Sequence, residues 1–150
     1  MREILFRGFY EYKNGKETIY INGKEIKGKW VYGDLVKCMT DDGECIGIKD
    51  TIYEVNTNRC NLIPNIVIPE TVGQFTGLTD KNGKKIFEGD IVDFKTSAYY
   101  FKNCRIKYQS YYGRYCAMDN EGYEYPMDKN FEYEVIGNIH DNPELLEVEK

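Results

Sequence analysis

Residues 72–92 read VGQFTGLTDKNGKKIFEGDIV, and the four glycines among lysines, aspartates and asparagines could form a ligand loop. A phosphate loop requires G-x-x-x-x-G-K-[ST], or G-x-G-x-x-G at the start of a helix. Here Gly77 and Gly83 are one residue too far apart for the first pattern. Lys85 also stands where Ser or Thr would hold magnesium, and an apolar strand pattern follows. The spacing argues against a phosphate site.

A calcium site is the other chemistry that this stretch suggests. Asp80 and Asn82 have the spacing of the first two ligands of an EF-hand, but Lys84 replaces the third oxygen ligand and the glycine falls too early. The glycines are better explained by two sharp turns, one at Asn82-Gly83 and one at Glu88-Gly89-Asp90. We therefore predict a scaffold that leads into the strand from Ile91.

Thiols, one imidazole and paired carboxylates are the remaining groups that could do chemistry. The cysteines are odd in number and form no C-x-x-C pair: Cys38, Cys45, Cys60, Cys104 and Cys116. His140 is the sole histidine and lies far along the chain from any cysteine. Acid pairs such as Asp41-Asp42 fall in turn sequences, where carboxylates are normally solvated. We predict reduced structural thiols, no metal, no cofactor and no catalytic residue.

Aromatic residues form the most distinctive candidate surface. Two short runs mix rings with lysine and arginine, and the candidate interaction residues are Tyr99, Tyr100, Tyr111, Tyr112 and Arg114. Strand alternation would place about half of such rings in a core, which leaves an ordinary surface as one interpretation. Protein contact is the first functional interpretation, because Tyr and Arg favour interfaces. Binding of single-stranded nucleic acid, by stacking and cationic contacts, is the second.

Charge is distributed unevenly along these 150 residues. Residues 1–29 carry seven Lys or Arg against four acids, residues 30–117 carry eleven of each, and residues 118–150 carry two lysines against ten acids, for a total of −5. An acidic chain lacks the electrostatic contribution that dominates nucleic-acid affinity. The acidic segment is either a solvated face, a surface for a basic protein partner, or a nucleic-acid mimic.

The composition predicts strands and the cytoplasm. Fourteen Tyr and fourteen Gly favour strands and tight turns over helices. No apolar run approaches the roughly 20 residues of a membrane span, and the N-terminal residues MREILFRGFY do not resemble a signal peptide. We expect a cytoplasmic protein without a membrane segment.

Turn dipeptides divide the chain into short strands. Four of them accept the positive φ angles of type I′ hairpins: Asn14-Gly15, Asn22-Gly23, Asp42-Gly43 and Asn82-Gly83. The first predicts a hairpin between Phe9–Lys13 and Glu17–Ile21, within a double Asn-Gly meander at residues 10–27. Alternation places four aliphatic side chains in the core: Ile46, Ile48, Ile52 and Val55.

Domain organisation follows from the proline-containing run LIPNIVIPE, which predicts an irregular connection at residues 61–69. We place an N-terminal β-meander at residues 1–68 and a small β-barrel region at residues 69–150, which could also form one integrated domain. A turn of helix is predicted within Thr96–Lys102, and a short C-terminal helix at Asn142–Glu147.

The stretch at residues 72–92 strongly resembles the signature of the YopX family, small proteins encoded by phages and prophages. Further matches occur in the same order: REILFRG (2–8), KWVYGDL (29–35), IPETVGQ (68–74) and EVIGNIHDNPELL (134–146). The resemblance implies a mainly β fold with an SH3-like barrel and a bacterial cytoplasmic setting. It implies no activity, substrate or site residue. The expectation is a non-enzymatic accessory protein that binds another protein or itself, as a homo-oligomer, with a nucleic-acid-binding barrel as the alternative.

Overall fold

The computed structural model describes residues 3–49 and 64–146, which form antiparallel strands and one short 3₁₀ helix. The mainly β fold class is confirmed. The elements are β1 Phe6–Glu11, β2 Glu17–Ile21, β3 Lys24–Thr40, β4 Gly43–Lys49, β5 Asn65–Ile66, β6 Ile68–Thr79, β7 Lys85–Phe87, β8 Asp90–Lys95, β9 Tyr100–Gln109, β10 Arg114–Met118, β11 Glu124–Pro126, β12 Glu132–Asn138 and the 3₁₀ helix Pro143–Leu146.

Two compact units divide the chain. Unit 1 comprises the described residues within Met1–Thr18 and Ile26–Gln74, and unit 2 comprises those within Ile19–Glu25 and Phe75–Lys150. Compactness alone does not test where an independently folding domain begins. The division into residues 1–68 and 69–150 therefore stays a prediction.

Unit 1 is built on the long strand β3, in the order β5-β4-β3-β1-β6. The first part of β3 pairs with β1, with Phe9 opposite Trp30, and the later part pairs with β4. Phe9 meets the Trp30 ring edge-on at a centroid distance of 5.4 Å. Buried Val31, Ile48 and Val67 form the core, and Ile46 packs against it half-buried. The predicted core positions Ile52 and Val55 lie outside the described residues.

The Asn-Gly and Asp-Gly turns differ from each other in backbone conformation. Asn22 and Gly23 both have positive φ (51° and 78°), which confirms the predicted type I′ turn at this position. In the turns at Asn82-Gly83 and Asp42-Gly43, the glycine alone has positive φ among the two residues. In both turns the glycine comes directly after the two central residues, and those central residues do not have positive φ. The type I′ prediction is therefore wrong for both.

The predicted hairpin between Phe9–Lys13 and Glu17–Ile21 is wrong. β1 pairs with β3 and β6 instead, while Gly15 N–H closes a turn on the carbonyl of Tyr12 at 3.1 Å. A Cβ added to Gly15 would lie 2.2 Å from the backbone nitrogen of Gly28. Glycine is required at this position because two backbones pass very close together, and not because the chain needs positive φ.

Unit 2 contains a five-stranded antiparallel sheet in the order β11-β10-β9-β8-β12. Its core is a set of buried side chains from five strands: Ile86, Val92, Phe94, Cys104, Ile106, Ala117 and Tyr133. The path through the described strands has two ends, so the sheet is open. The predicted SH3-like barrel is therefore not confirmed.

The edge of β12 is covered by the Asp80 turn, which we define as residues 80–84. Lys81 N–H donates to the carbonyl of Tyr133 at 2.9 Å, and Val135 N–H donates to Asp80 Oδ2 at 3.1 Å. Asp80 Oδ1 also accepts the N–H groups of Asn82 and Lys84, both at 2.9 Å. These contacts use the backbone groups that β12 would otherwise present to a further strand, which is one physical reason the sheet does not close.

Asp80 is a buried carboxylate whose ionisation is coupled to this turn. Burial by itself raises its pKa, but the N–H donors of Val135, Lys84 and Asn82, with the positive charge of Lys84, outweigh burial, and the pKa lies below its ordinary value. Hydrogen bonds to the charged form thus stabilise the turn.

The second predicted turn, Glu88-Gly89-Asp90, is confirmed. Gly89 has a φ of 92°, and Asp90 Oδ2 accepts Phe87 N–H at 2.8 Å. Gly89 N–H donates to the carbonyl of Ile106 at 2.9 Å. The amide of this glycine is therefore used in the fold, which accords with a scaffold and not with a phosphate cradle.

Helix is scarce. The turn of helix predicted within Thr96–Lys102 is wrong, because Thr96 closes a hairpin turn and β9 begins at Tyr100. The C-terminal helix is a single 3₁₀ turn over Pro143–Leu146. Across residues 3–49 and 64–146, the structure contains no helix long and apolar enough to span a membrane.

Candidate functional site

The five predicted interaction residues fall at two separate places in unit 2. Tyr99 and Tyr100 lie where β9 begins, whereas Tyr111, Tyr112 and Arg114 lie beyond its end. All five are exposed. Ten strand residues at roughly 3.3 Å each separate the two places. The structure therefore does not bring the predicted set together.

The tyrosine turn, residues 108–115, carries three of the predicted residues. The rings of Tyr111 and Tyr112 meet at a centroid distance of 4.9 Å, and the Arg114 guanidinium lies 4.5 Å from the Tyr112 ring. Gly113 N–H donates to the carbonyl of Gln109 at 2.8 Å and closes the turn with a φ of 66°. The result is an exposed cluster of rings around one cation.

The cations beside the tyrosine turn are already engaged. Lys107 Nζ lies 2.6 Å from Glu124 Oε1, and Arg114 Nε donates to Gln109 Oε1 at 2.9 Å. Gln109 Nε2 in turn donates to Glu124 Oε2. The hydrogen bonds from Lys107 and Gln109 hold the pKa of Glu124 below its ordinary value. A phosphate arriving here would compete with a carboxylate for Lys107.

Unit 2 also carries a groove that the sequence did not predict. Its volume is about 640 Å³, and it is lined mainly by rings. We call it the aromatic groove, defined by Phe94, Thr96, Tyr99, Phe101, Tyr125, Pro126, Met127, Asp128 and Phe131. Only Tyr99 among the predicted residues contributes to it.

Ring contacts organise the aromatic groove. Phe94, which is 2% exposed, is centred 4.6 Å from the parallel ring of Phe101 and 6.1 Å from that of Phe131. The ring of Tyr125 lies 4.5 Å from Phe101. Each ring of the groove thus contacts at least one other ring, and these contacts stabilise its walls.

The β8–β9 hairpin explains why two of these rings meet. Phe94 and Phe101 are direct cross-strand partners, whereas Val92 is opposite Cys104, so one extra residue bulges from β9 between the two pairs. Asn103 lies in this bulge with a φ of 54°, and its N–H donates to Asp93 Oδ1 at 2.9 Å. The bulge brings Phe101 onto the face that carries Phe94.

Polar groups of the groove are committed to local structure. Thr96 Oγ1 accepts the N–H groups of Ala98 and Tyr99 at 3.2 and 3.0 Å. The Tyr125 hydroxyl donates to Asp119 Oδ2 at 3.1 Å, and the Tyr133 hydroxyl beneath the groove accepts Asp128 N–H at 3.0 Å. Burial raises the pKa of both tyrosines, and the bond to Asp119 raises that of Tyr125 further. Their hydroxyls therefore remain neutral at physiological pH.

Several nucleophiles and acids of unit 2 lie outside the residues that line the aromatic groove. Burial raises the pKa of Cys104 to about 12 and also raises that of Cys116, so both remain thiols near neutral pH. Burial also raises the pKa of half-buried Glu88, which the sequence gave no reason to expect. His140 N–H donates to Asn138 Oδ1 at 2.9 Å within a local turn.

The described residues contain no cluster of side chains that could bind a metal ion. Over residues 3–49 and 64–146, no three His, Cys, Asp or Glu side chains are placed to hold an ion together. The expectations of no metal, no cofactor and no catalytic residue stay predictions. What the groove can do chemically is receive apolar or aromatic surface.

Comparisons with known proteins bear mainly on the family. The model of a family described as YopX protein matches residues 6–147 of this chain. A search of curated proteins found no match. Among solved structures, the crystal structure of protein EF1440 from Enterococcus faecalis is similar, with 24% sequence identity over 98% of this chain and 100% of that one and a TM-score of 0.42.

Proposed function

We propose that this chain, which belongs to the YopX family, is a non-enzymatic accessory protein that binds another protein through the aromatic groove. The setting that we propose is the cytoplasm of a bacterium that carries the phage or prophage, and this setting rests on the family resemblance. The observation that carries the binding proposal is the open groove of about 640 Å³, floored and walled by contacting rings.

Two properties of the groove support a protein ligand. Its volume of about 640 Å³ lies within the roughly 300–1,000 Å³ of small-molecule pockets, so the groove has room for an aromatic side chain of a partner. Its polar groups on Thr96 and Tyr125 are already hydrogen-bonded within the chain. Recognition must then come from apolar contact, as at the aromatic centres of protein interfaces.

Charge defines the partner further. Asp128 lines the groove, and it belongs to residues 118–150, a segment that contains ten acidic residues and only two lysines. An aromatic side chain flanked by Lys or Arg would place its ring in the groove and a cation beside the Asp128 carboxylate. We therefore commit to a partner segment of this kind, namely an aromatic anchor with basic neighbours.

The test is a selection of random peptides displayed on phage against the full chain, followed by affinity measurement with the winning synthetic peptide. We expect the selected peptides to share an aromatic residue with flanking Lys or Arg. Tyr99→Ala removes an exposed wall of the groove and should weaken binding about tenfold, as interface aromatics do. NMR chemical-shift changes on titration should centre on Phe101, Met127 and Phe131.

Tyr111→Ala is the matched control, since Tyr111 is equally an exposed tyrosine of unit 2 but lies in the tyrosine turn. It should leave peptide affinity unchanged. Peptides that bind the Tyr99→Ala variant as tightly as the parent protein would overturn the proposal. So would a selection that yields only sequences without aromatic residues.

The alternative function is binding of single-stranded nucleic acid at the tyrosine turn. The observation that favours it is the exposed pair Tyr111 and Tyr112 with Arg114 stacked at 4.5 Å, a combination suited to bases and backbone. The contact between Lys107 and Glu124 and the net charge of −5 count against it. In a mobility-shift assay with an oligothymidine strand, binding lost on Tyr111→Ala with Arg114→Ala, but kept on Tyr99→Ala, would establish the alternative.

Self-association is the third outcome of these experiments. A homo-oligomer would give a mass above that of the 17.6 kDa chain in light scattering at high concentration. If the groove were the contact, Tyr99→Ala would return that mass to the monomer value while Tyr111→Ala would not. A monomeric mass at all concentrations would refute self-association.

A further inference from the structure

Two cysteines of unit 1 face each other across the β3–β4 hairpin. Cys38 and Cys45 are direct partners in the antiparallel register, and their sulfur atoms lie 2.8 Å apart. Each sulfur also lies within hydrogen-bonding distance of the partner's carbonyl, at 3.6 and 3.2 Å. No disulfide joins the two sulfur atoms in this structure. We propose that they are a redox-active dithiol that closes to a disulfide by exchange with a small disulfide such as oxidised glutathione.

The backbone already has the spacing that a disulfide needs. Directly opposed residues of antiparallel strands have Cα atoms about 4.5 or 5.5 Å apart. Both values lie within the roughly 4.4–6.8 Å that disulfides span. The sulfur atoms therefore need only a small approach from 2.8 Å, which side-chain rotation can supply without moving the strands.

Access distinguishes this pair from the other described thiols. Cys38 and Cys45 are half-buried, whereas Cys104 and Cys116 are buried. On the strand of Cys45, the same face is continued two residues away by Gly43, and a Cβ there would meet no atom within 4 Å. A small disulfide can thus approach the sulfur atoms from the side of Gly43.

The ionisation of Cys45 governs how the exchange depends on pH. The hydrogen bond with Cys38, followed by burial, raises the pKa of Cys45, so this residue remains a thiol near neutral pH. Since the thiolate is the attacking species, the reaction should accelerate as the pH rises.

The exchange balances in two steps. The thiolate of one cysteine attacks a sulfur of glutathione disulfide, which forms a mixed disulfide and releases one glutathione thiolate. The thiolate of the other cysteine attacks the cysteine sulfur of the mixed disulfide, which forms the Cys38–Cys45 bond and releases the second glutathione. Two electrons pass from the two cysteine sulfurs to the external disulfide, and the two thiol protons pass to the two glutathione thiolates.

The sequence provides a direct readout by mass. Trypsin cuts after Lys37 and Lys49 and releases CMTDDGECIGIK, residues 38–49, which contains both cysteines. The reduced full-length protein is incubated with millimolar glutathione disulfide, denatured, alkylated with iodoacetamide and digested. We expect this peptide to lose the mass of two hydrogens and to carry no alkyl group, while the peptide with Cys116 remains fully alkylated. Dithiothreitol should restore two alkylation sites.

Two variants make the result decisive. Cys38→Ser should leave Cys45 as a mixed disulfide with glutathione, and Cys60→Ser should leave the closure unchanged. The proposal is overturned if the peptide stays doubly alkylated at every glutathione disulfide concentration. It is equally overturned if Cys38 or Cys45 is found linked to Cys60 or to a second chain.

Discussion

The five-stranded sheet of unit 2 has two edges, and the chain finishes them in opposite ways. At β12, the Asp80 turn supplies a carboxylate and an N–H group to the outward backbone of the strand. At β11, a strand of three residues ends in Pro126, and its residues Tyr125 and Pro126 line the aromatic groove. One edge is closed by hydrogen bonds, whereas the other ends beside an apolar surface.

The comparison separates what makes the fold from what meets a partner. The stretch at residues 72–92 that carries the family resemblance builds the closed edge, and its most distinctive residue, Asp80, is buried. The groove beside β11 is assembled from rings of four segments, without a motif. If the closed edge stabilises the fold and the groove binds the partner, substitutions at the closed edge should mainly change stability. Substitutions at the groove should mainly change peptide affinity.

The largest effect is expected at the closed edge. Asp80→Ala should lower the free energy of unfolding by about 3 kcal/mol, because three backbone N–H groups lose a charged acceptor. Asp128→Ala is the control at the groove, where an exposed carboxylate accepts the N–H of Asn130. It should cost less than about 1 kcal/mol. Urea titration of both variants measures the two losses of unfolding free energy. Equal losses would contradict the view that the edge at β12 stabilises the fold more than the groove does.

Acid should act through the same carboxylate. Since the folded pKa of Asp80 lies below its unfolded value, its contribution to stability is complete above the unfolded value and is lost as the pH falls through the folded one. Unfolding free energy measured between about pH 5 and pH 2 should therefore decline less steeply in Asp80→Asn than in the parent. Parallel curves for the two proteins would mean that Asp80 does not titrate as the turn requires.

An intermediate effect is expected beneath the groove. Tyr133→Phe keeps the buried ring but removes the hydroxyl that accepts Asp128 N–H at 3.0 Å. The loss should be about 1 kcal/mol, the usual net value of one hydrogen bond. Peptide affinity should fall as well, because Asp128 and the segment that follows it wall the groove. If stability falls but peptide affinity does not change, the hydrogen bond between Asp128 and Tyr133 does not contribute to the binding site.

The smallest effect on stability is expected for the exposed tyrosines. Tyr99→Ala and Tyr111→Ala should each shift the unfolding free energy by less than about 0.5 kcal/mol, because their rings are 70% and 89% exposed. Thermal melts should therefore superimpose. A large loss of unfolding free energy in Tyr99→Ala would show that Tyr99 supports the fold. Weaker peptide binding by this variant would then no longer identify the groove as the binding site.

The sequence predicted those features that depend on a few neighbouring residues. The turn at Glu88-Gly89-Asp90 follows from glycine between two acids, and the Asn22-Gly23 turn from the positive φ that both residues tolerate. Asn14-Gly15 carries the same signal and forms a different turn, because tertiary contact with Gly28 decides its conformation. Local patterns cannot distinguish a glycine required for φ from one required for space.

The aromatic groove lay beyond such patterns. Phe94 and Phe101 become neighbours through the Thr96 turn and the Asn103 bulge, whereas the sequence TSAYYFK suggests a turn of helix after strand β8. Met127 and Phe131 arrive from a segment about thirty residues further along the chain. Two phenylalanines flanking a short Thr-Ser turn are the signal that could have suggested a hairpin with facing rings.

The packing of Trp30 against Phe9 and under Arg7 gives the molecule a spectroscopic label. Trp30 is the single tryptophan of the chain, so it dominates the fluorescence emission when the protein is excited at the long-wavelength edge of its absorption band. Trp30 belongs to unit 1. The tightly clustered rings from Phe94 to Tyr133 belong to unit 2 and should dominate the circular dichroism of tyrosine and phenylalanine. One unmodified sample can therefore report whether the two units melt together or in sequence.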